Sequence, residues 1–408
     1  MPQNEQTRNP APLFGPEMFR AFDDSVGPTE SASTLPPVLY TSDEFLGFER
    51  EAIFAHEWLC LGRTSQVPNA GDFTTVNMCG EPLIIARDKS GEVRVLSAVC
   101  QHRGMLVAEG SGNCGTFKCP YHHWIYGLDG RLLGAQSMER AVGFDKADWG
   151  LPVLRSEEWH GFLFVTFDAD IAPLAPRMAA FEPLIANFDL DECVGRPTTD
   201  HYPAMPWNWK VMFENFNNGY HANKLHAGVH DFCRSEDAAF PVEWNDDHAF
   251  IMRTNRFTHI DGGFNATQKA LLPLFPALTD EERWRVTFAL VPPTLTLGFA
   301  PDQIFYFLVR PLTADTIDLE IGYLFHPKAV EDPLFEEKFA LSSLGVQGIV
   351  MQDVHTTTLV QQGLHSRFAR RGRYAWQEET HRQFNRWLVD RYRRAWPTSD
   401  STTAPELS

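Results

Sequence analysis

Cys100-Gln101-His102 and, sixteen residues further on, Cys119-Pro120-Tyr121-His122 place two thiols and two imidazoles in one short stretch. Such a set can hold zinc as Cys₂His₂, or a [2Fe–2S] cluster in which two His replace two Cys on one iron. Zinc fingers pair Cys with Cys and His with His. Here each Cys is paired with a His, which favours the cluster. Gly104, Gly110, Gly112 and Gly115 lie between the pairs, and Gly127 and Gly130 follow. They suit tight loops that aim backbone N–H groups at cluster sulfurs and so tune the potential.

A second candidate is His221 with His226. Five steps of about 100° leave them roughly 140° apart on a straight helix, so a helix must end between them if both are to face one metal. Gly219 and Asn223 make that easy. Two His and one carboxylate form the facial triad of non-haem Fe(II) oxygenases, with positions left open for O₂ and substrate. The chain has 15 His, and a pair of His in a turn is usually structural, so this pair gains its meaning from its neighbours.

Cys100-Gln101-His102-Arg103-Gly104 and Cys119-Pro120-Tyr121-His122-His123-Trp124 resemble a Rieske motif. Over residues 36–390 the chain resembles the α-subunit of Rieske non-haem iron ring-hydroxylating oxygenases. Asn208-Trp209-Lys210, Glu214-Asn215 and Tyr220-His221 match that family's iron-site helix. By this resemblance Cys100 and Cys119 bind one cluster iron, and His102 and His122 the other. His123 and Cys114 are expected not to be ligands. His221, His226 and a downstream acid would bind a mononuclear Fe(II). The acid is expected at the start of a helix that ends in a Gln-Gly-Leu-like sequence. Met351-Gln352-Asp353, followed by Gln361-Gln362-Gly363-Leu364, assigns Asp353. His355 and His230 are its rivals and those of His226.

Asn215, Asn218 and Tyr220 are the further catalytic candidates. The family usually has Asp, sometimes Glu, three residues before the first iron His, where it bridges that His to a cluster His of the neighbouring subunit. Here the position is Asn218. An amide can accept from an imidazole N–H and donate once more, but it carries no charge and takes up no proton. Glu214, one helical turn away, is a candidate substitute.

The elements that must position these groups read as α+β. Residues 1–35, rich in Pro, Ser, Thr and Asn, read as a mobile arm. Residues 36–58 read as a leading helix, capped by Thr41 or Ser42 with Glu44 near N3. Residues 59–165 alternate short strands and turns, including 72–78, 82–87, 93–99 and 162–167, and form an all-β cluster domain. Residues 166–395 read as a catalytic domain. It opens with helical character at 181–188 and a buried helix over 209–220, since Trp209, Met212, Phe213 and Phe216 are helically spaced. Strands follow at 249–253, 285–290, 294–299, 303–310 and 316–325, then helices over 333–394. Residues 396–408 read as a polar tail. The resemblance implies a Rieske domain ahead of a helix-grip catalytic domain, assembled as a head-to-tail homotrimer.

Composition bounds the rest. At 408 residues the chain has room for two or three folding units, and 43% apolar content with 31 Phe supports large aromatic cores. A net charge of −18 argues against nucleic acid or an anionic membrane as partner. Cys60, Cys79, Cys114, Cys193 and Cys233 show no paired spacing, as expected of free thiols in a reducing cytosol. The N-terminus lacks a signal pattern, and the longest apolar run, near 288–299, is broken by Pro292 and Pro293. The expected protein is soluble and cytoplasmic. It would be a terminal oxygenase fed by an NAD(P)H-dependent reductase or ferredoxin, using O₂ on a small organic substrate. Aromatic acids are the first choice of substrate, for hydroxylation or demethylation. Quaternary ammonium compounds are the alternative, held by cation–π contacts. A reading from another class is a Rieske electron carrier without oxygenase activity. It would hold two irons per chain rather than three, and would leave some 240 residues without a purpose.

Overall fold

The computed structural model describes residues 15–196, 199–226 and 228–396. Two antiparallel sheets carry the two candidate sites. The first has seven strands, in the order Leu59–Arg63, Phe162–Thr166, Val153–Trp159, Val93–Ser97, Glu81–Arg87, Asp72–Met78 and Ser111–Asn113. A three-stranded sheet, Phe117–Lys118, Ile125–Tyr126 and Leu132–Gly134, sits beside it and carries the second Cys-His loop. Strand alternation explains how the larger sheet serves two cores. Leu83 and Ile85 point into the main core, while Ile84 and Ala86 pack with Cys100, Cys119, Trp124 and Tyr126.

The second sheet has eight strands. Seven run in the order Val194–Gly195, Thr316–Phe325, Gln303–Thr313, Leu295–Ala300, Arg285–Val291, Ile251–Phe257 and Cys233–Ala239, and Asp200–Met205 also pairs with Thr316–Phe325. Long helices cover one face and the short helices Leu174–Met178 and Glu182–Ile185 pack on the other, giving the expected α+β architecture. The helix Phe335–Leu364 packs Phe335 and Phe339 against Tyr323 and Phe325, with ring centroids 5.1–5.4 Å apart. It also crosses close to the chain at Phe264: a Cβ on Gly345 would lie 1.9 Å from the Phe264 carbonyl oxygen, so only glycine fits there.

Four local readings are corrected. Within the 1–35 segment, Pro16–Val26 is a helix, with Met18, Ala21, Phe22 and Ser25 buried at helical spacing. Phe22 packs on Tyr392 and Trp396 of the C-terminal segment, and Ser33 bridges to Arg373. The Pro-rich composition hid this helix because Pro16 stands at its first turn, where proline costs nothing. Residues 1–14, and all of the 396–408 tail except Trp396, lie outside the described residues. The leading helix is three pieces: Val38–Thr41, Asp43–Glu49, capped by Ser42 Oγ accepting from Phe45 N at 3.1 Å, and a π-turn at Arg50–Phe54. The iron-site helix stops at Phe216 rather than Tyr220, and its N-cap is Asn208. Asp353 lies well inside Phe335–Leu364 and not at a helix start.

A buried polar knot fixes the iron-site helix. Lys210 and Glu49 are fully buried and 2.7 Å apart. Trp209 Nε1 donates to Glu49 at 3.0 Å, and the Tyr392 hydroxyl donates to the same carboxylate. One carboxylate thereby joins the leading helix, the iron-site helix and the C-terminal helix Glu379–Ala395. No helix among the described residues is long and apolar enough to cross a membrane.

Candidate metal centres and substrate cavity

The Cys100 and Cys119 loops are tight turns. Gly104 N donates to Cys100 O at 3.0 Å, with Gly104 at φ +73°, and Cys100 N donates to Met105 O at 2.9 Å. Cys119 is closed the same way, with His123 N on Cys119 O at 3.0 Å and Cys119 N on Trp124 O at 2.8 Å. Both thiols are buried. The His102 ring stacks on Trp124 at 4.8 Å and lies 4.6 Å from the His122 ring, so the two imidazoles are neighbours. Backbone N–H groups of Tyr121 and His122 face Cys119 Sγ, in a loop that contains no glycine. Tyr126 adds a contact that its place in an apolar strand did not suggest. Its hydroxyl accepts from Gln101 N at 3.1 Å, so its own proton is free for Cys100 Sγ at 3.2 Å. His123 is exposed with a left-handed backbone.

The second centre lies where the iron-site helix unwinds. After Phe216 the chain turns through Asn218, and His221 and His226 flank one helical turn, Ala222–Leu225. The helix therefore ends before both His, not between them, and the short turn brings the rings together. His221 Nε2 and His226 Nε2 are 3.0 Å apart, and Asp353 Oδ1 lies 3.5 Å and 3.2 Å from them. All three donor atoms lie within 4.8 Å of one another. His226 Nδ1 is 2.8 Å from Gln352 Oε1. An amide oxygen only accepts, so Nδ1 carries the proton and Nε2 keeps its lone pair. Asn215 Nδ2 donates to Asp353 Oδ1 at 3.2 Å and orients the carboxylate.

Electrostatics suit a cation here. Burial pushes the His221 imidazole down to about 4, keeping it neutral. Burial also acts against charge on His226, but the Asp353 hydrogen bond and charge outweigh it and raise that group. Two imidazole nitrogens and one carboxylate oxygen thus converge on one point. Ligands about 2 Å from one metal sit roughly 3 Å apart when at right angles, the spacing found here. The donor set fits Fe(II).

The rival residues fall elsewhere. His355 is exposed, since two residues along a helix turn it about 200° away from Asp353. His230 faces Glu236 at 3.8 Å. Tyr220 is 53% exposed, outside the cavity lining, and meets the site only through its backbone N–H. Asn218 takes a different part from the one anticipated. Its Oδ1 accepts from the backbone N–H groups of Tyr220 at 2.8 Å and His221 at 3.2 Å, and its Nδ2 donates to Glu378 at 3.3 Å. His221 Nδ1 is buried without a partner among the described residues. Glu214 does not reach it either, being held by the Tyr40 hydroxyl.

A mostly apolar cavity opens over His221, His226 and Asp353. Phe216, Phe264, Phe288, Phe305 and Phe307 line it, with Arg253 and Asn255 among the few polar groups. Glu378 and Arg253 were not legible as site residues, because each acts across the fold rather than within a motif; Gln352 stood in the motif that assigned Asp353, but its bond to His226 was not foreseen.

Comparison with known proteins matches both halves. Residues 190–394 fit the family model of the ring hydroxylating alpha subunit catalytic domain, and residues 57–153 fit that of the Rieske [2Fe-2S] domain. The carnitine monooxygenase oxygenase subunit of Acinetobacter baumannii is 29% identical over 370 residues, 84% of this chain and 95% of that protein. The chloroplastic choline monooxygenase of Arabidopsis thaliana is 26% identical over 92% of this chain and 88% of its own. Two solved structures share the fold. A quaternary ammonium Rieske monooxygenase in complex with L-carnitine aligns with TM-score 0.72 and 23% identity, covering 91% of this chain and 98% of the other. Naphthalene 1,2-dioxygenase from Rhodococcus sp. bound to indole aligns with TM-score 0.76 and 20% identity, covering 92% and 98%.

Proposed function

The chain belongs to the ring-hydroxylating alpha-subunit family of Rieske oxygenases, and from that membership we propose that it oxidises a small betaine-type substrate at the His221, His226 and Asp353 centre. The oxidoreductase class and the two cofactors, a Rieske [2Fe–2S] cluster and a mononuclear iron, follow from the family. When bound, the cluster supplies single electrons and the iron supplies O₂ activation. The observation that carries the reading is the convergence of His221, His226 and Asp353 on the wall of an apolar cavity, in a chain with complete cluster loops.

The protein's own residues then have defined work. Cys100, His102, Cys119 and His122 hold the cluster. Tyr126 and the 121–122 backbone place hydrogen bonds on its thiolates. Gln352 fixes the His226 tautomer, and Asn215 aims Asp353. The phenylalanines exclude water from the reacting centre. His122 and Tyr121 are exposed, which supports transfer to a neighbouring subunit and a head-to-tail trimer. A reductase or ferredoxin is the proposed electron source.

The betaine class rests on a relative that matches along nearly its whole length and is named for carnitine; a second, named for choline, shares the quaternary ammonium alone. Phenylalanine faces suit a methylated ammonium through cation–π attraction. The same faces suit an aromatic acid, the class favoured by sequence. The test is iron analysis together with anaerobic reduction and re-exposure to O₂ with γ-butyrobetaine, glycine betaine or benzoate. Three irons per chain and substrate-dependent cluster reoxidation with stoichiometric product are expected. Two irons per chain and no product would leave an electron carrier.

A further inference from the structure

Arg253 lies on the strand Ile251–Phe257, one position from Met252, which faces the opposite core. Alternation therefore turns Arg253 and Asn255 together into the cavity. The side chain is 5% exposed. Its Nε donates to Asn217 O at 3.2 Å, and Nη1 donates to Asn255 Oδ1. The guanidinium lies 4.1 Å over the Phe288 ring, another wall of the cavity. Nη2 makes no hydrogen bond among the described residues.

No carboxylate among the described residues pairs with this cation. Other buried cations are neutralised: Lys210 by Glu49, Arg310 by Glu320 and Arg391 by Glu57. Arg63 also lacks a direct acid partner, but it is outside the cavity and has Glu158 nearby. For Arg253 the one ionisable group favouring its charge is the Cys233 thiol, and burial pushes the guanidinium down to about 10. Among the described residues Asp353 is the only acid lining the cavity, and it is taken by the two His and Asn215. An uncompensated buried charge is costly, and a guanidinium fork with a free edge matches a carboxylate.

We propose that Arg253 is the carboxylate anchor of the cavity, and that the substrate is a small organic carboxylate whose apolar or methylated body lies among the phenylalanines. This rests on the oxygenase reading above and narrows it. A substrate such as choline, with an ammonium but no carboxylate, lacks the group that Arg253 requires. Betaines and aromatic acids both supply it. Lysine would keep the charge at this position but lose the fork, while glutamine would lose the charge.

The test is calorimetric binding to the anaerobic, iron-replete protein with two matched pairs: γ-butyrobetaine against choline, and benzoate against benzyl alcohol. At least one acid is expected to bind roughly tenfold to a hundredfold more tightly than its partner. The pair that shows the preference identifies the betaine or the aromatic source. Arg253→Gln should abolish the preference, and Arg253→Lys should retain part of it, with iron content and cluster spectrum unchanged in both. The wild-type comparison needs no variant to fold. The proposal is overturned if no acid binds more tightly than its counterpart, including the case where neither acid binds, or if Arg253→Gln keeps the preference. Iron content and cluster reoxidation report separately on the oxygenase reading, so either can fail without the other.

Discussion

Asn218 donates to Glu378 across 3.3 Å while holding the backbone of His221 with its oxygen. The amide thus joins the turn that presents the first iron His to the segment before the C-terminal helix. Burial raises the Glu378 carboxyl, and the bonds from Ala375 N and Asn218 only partly offset it. Asn218→Asp would replace that donor with a second acid. A loss of about 1–2 kcal/mol at neutral pH is expected, shrinking as pH falls and one carboxyl takes a proton. Denaturation midpoints at pH 5 and pH 8 check this. The same variant should alter the single-turnover rate of cluster reoxidation; an unchanged rate removes Asn218 from the electron route.

Asp353→Ala should lose the mononuclear iron and keep the visible spectrum of the cluster. Gln352→Ala should act more mildly, lowering iron affinity about 10- to 100-fold by freeing the His226 ring. Iron titration read beside cluster absorbance distinguishes the two. Full iron occupancy in Asp353→Ala would move the third ligand elsewhere.

Glu214 gives a pH signature. Burial pushes its carboxyl up to about 7 from an ordinary 4.5, with Glu378 adding and Tyr40 and Lys210 opposing. The folded protein therefore holds this proton more tightly than the unfolded chain. The stabilisation is complete below about pH 4.5 and is lost as pH rises towards 7. Glu214→Gln should flatten the fall in melting temperature across that window. An equal slope in variant and wild type would show that Glu214 titrates normally.

Glu49→Leu should cost about 3–5 kcal/mol, because it strands the buried Lys210 ammonium and two further donors. Glu49→Leu with Lys210→Met should recover much of that loss. Chemical denaturation measures both, and a small cost in the single variant would mean that Lys210 finds water.

What was legible in the sequence was what lies close together along the chain. Cys100 to Trp124 contains the whole cluster motif, and the strands 72–78 and 316–325 follow from alternation and turn residues. His221 and His226, weak as a pair alone, drew their meaning from the Rieske motif upstream, and the structure joins them by a single turn. Asp353 was found through a short motif, but its helix was misplaced, since Phe335–Leu364 carries apolar residues around much of its circumference and shows no sharp start. Arg253 was invisible. In a strand of alternating residues nothing distinguishes an unpaired arginine from one facing solvent, and its meaning lies in the acids that the fold fails to bring near it. The Pro16–Val26 helix was hidden for a related reason: its partner surface comes from the other end of the chain.

That last pairing sets an order on biosynthesis. Phe22 leaves the ribosome about 370 residues ahead of its packing surface at Tyr392 and Trp396. At about 5–20 residues per second the first helix waits on the order of tens of seconds before it can dock. The strands and loops around Cys100 and Cys119 are synthesised long before then, so the core around the two thiols has all its residues while the main core still waits for Phe384 to Tyr392.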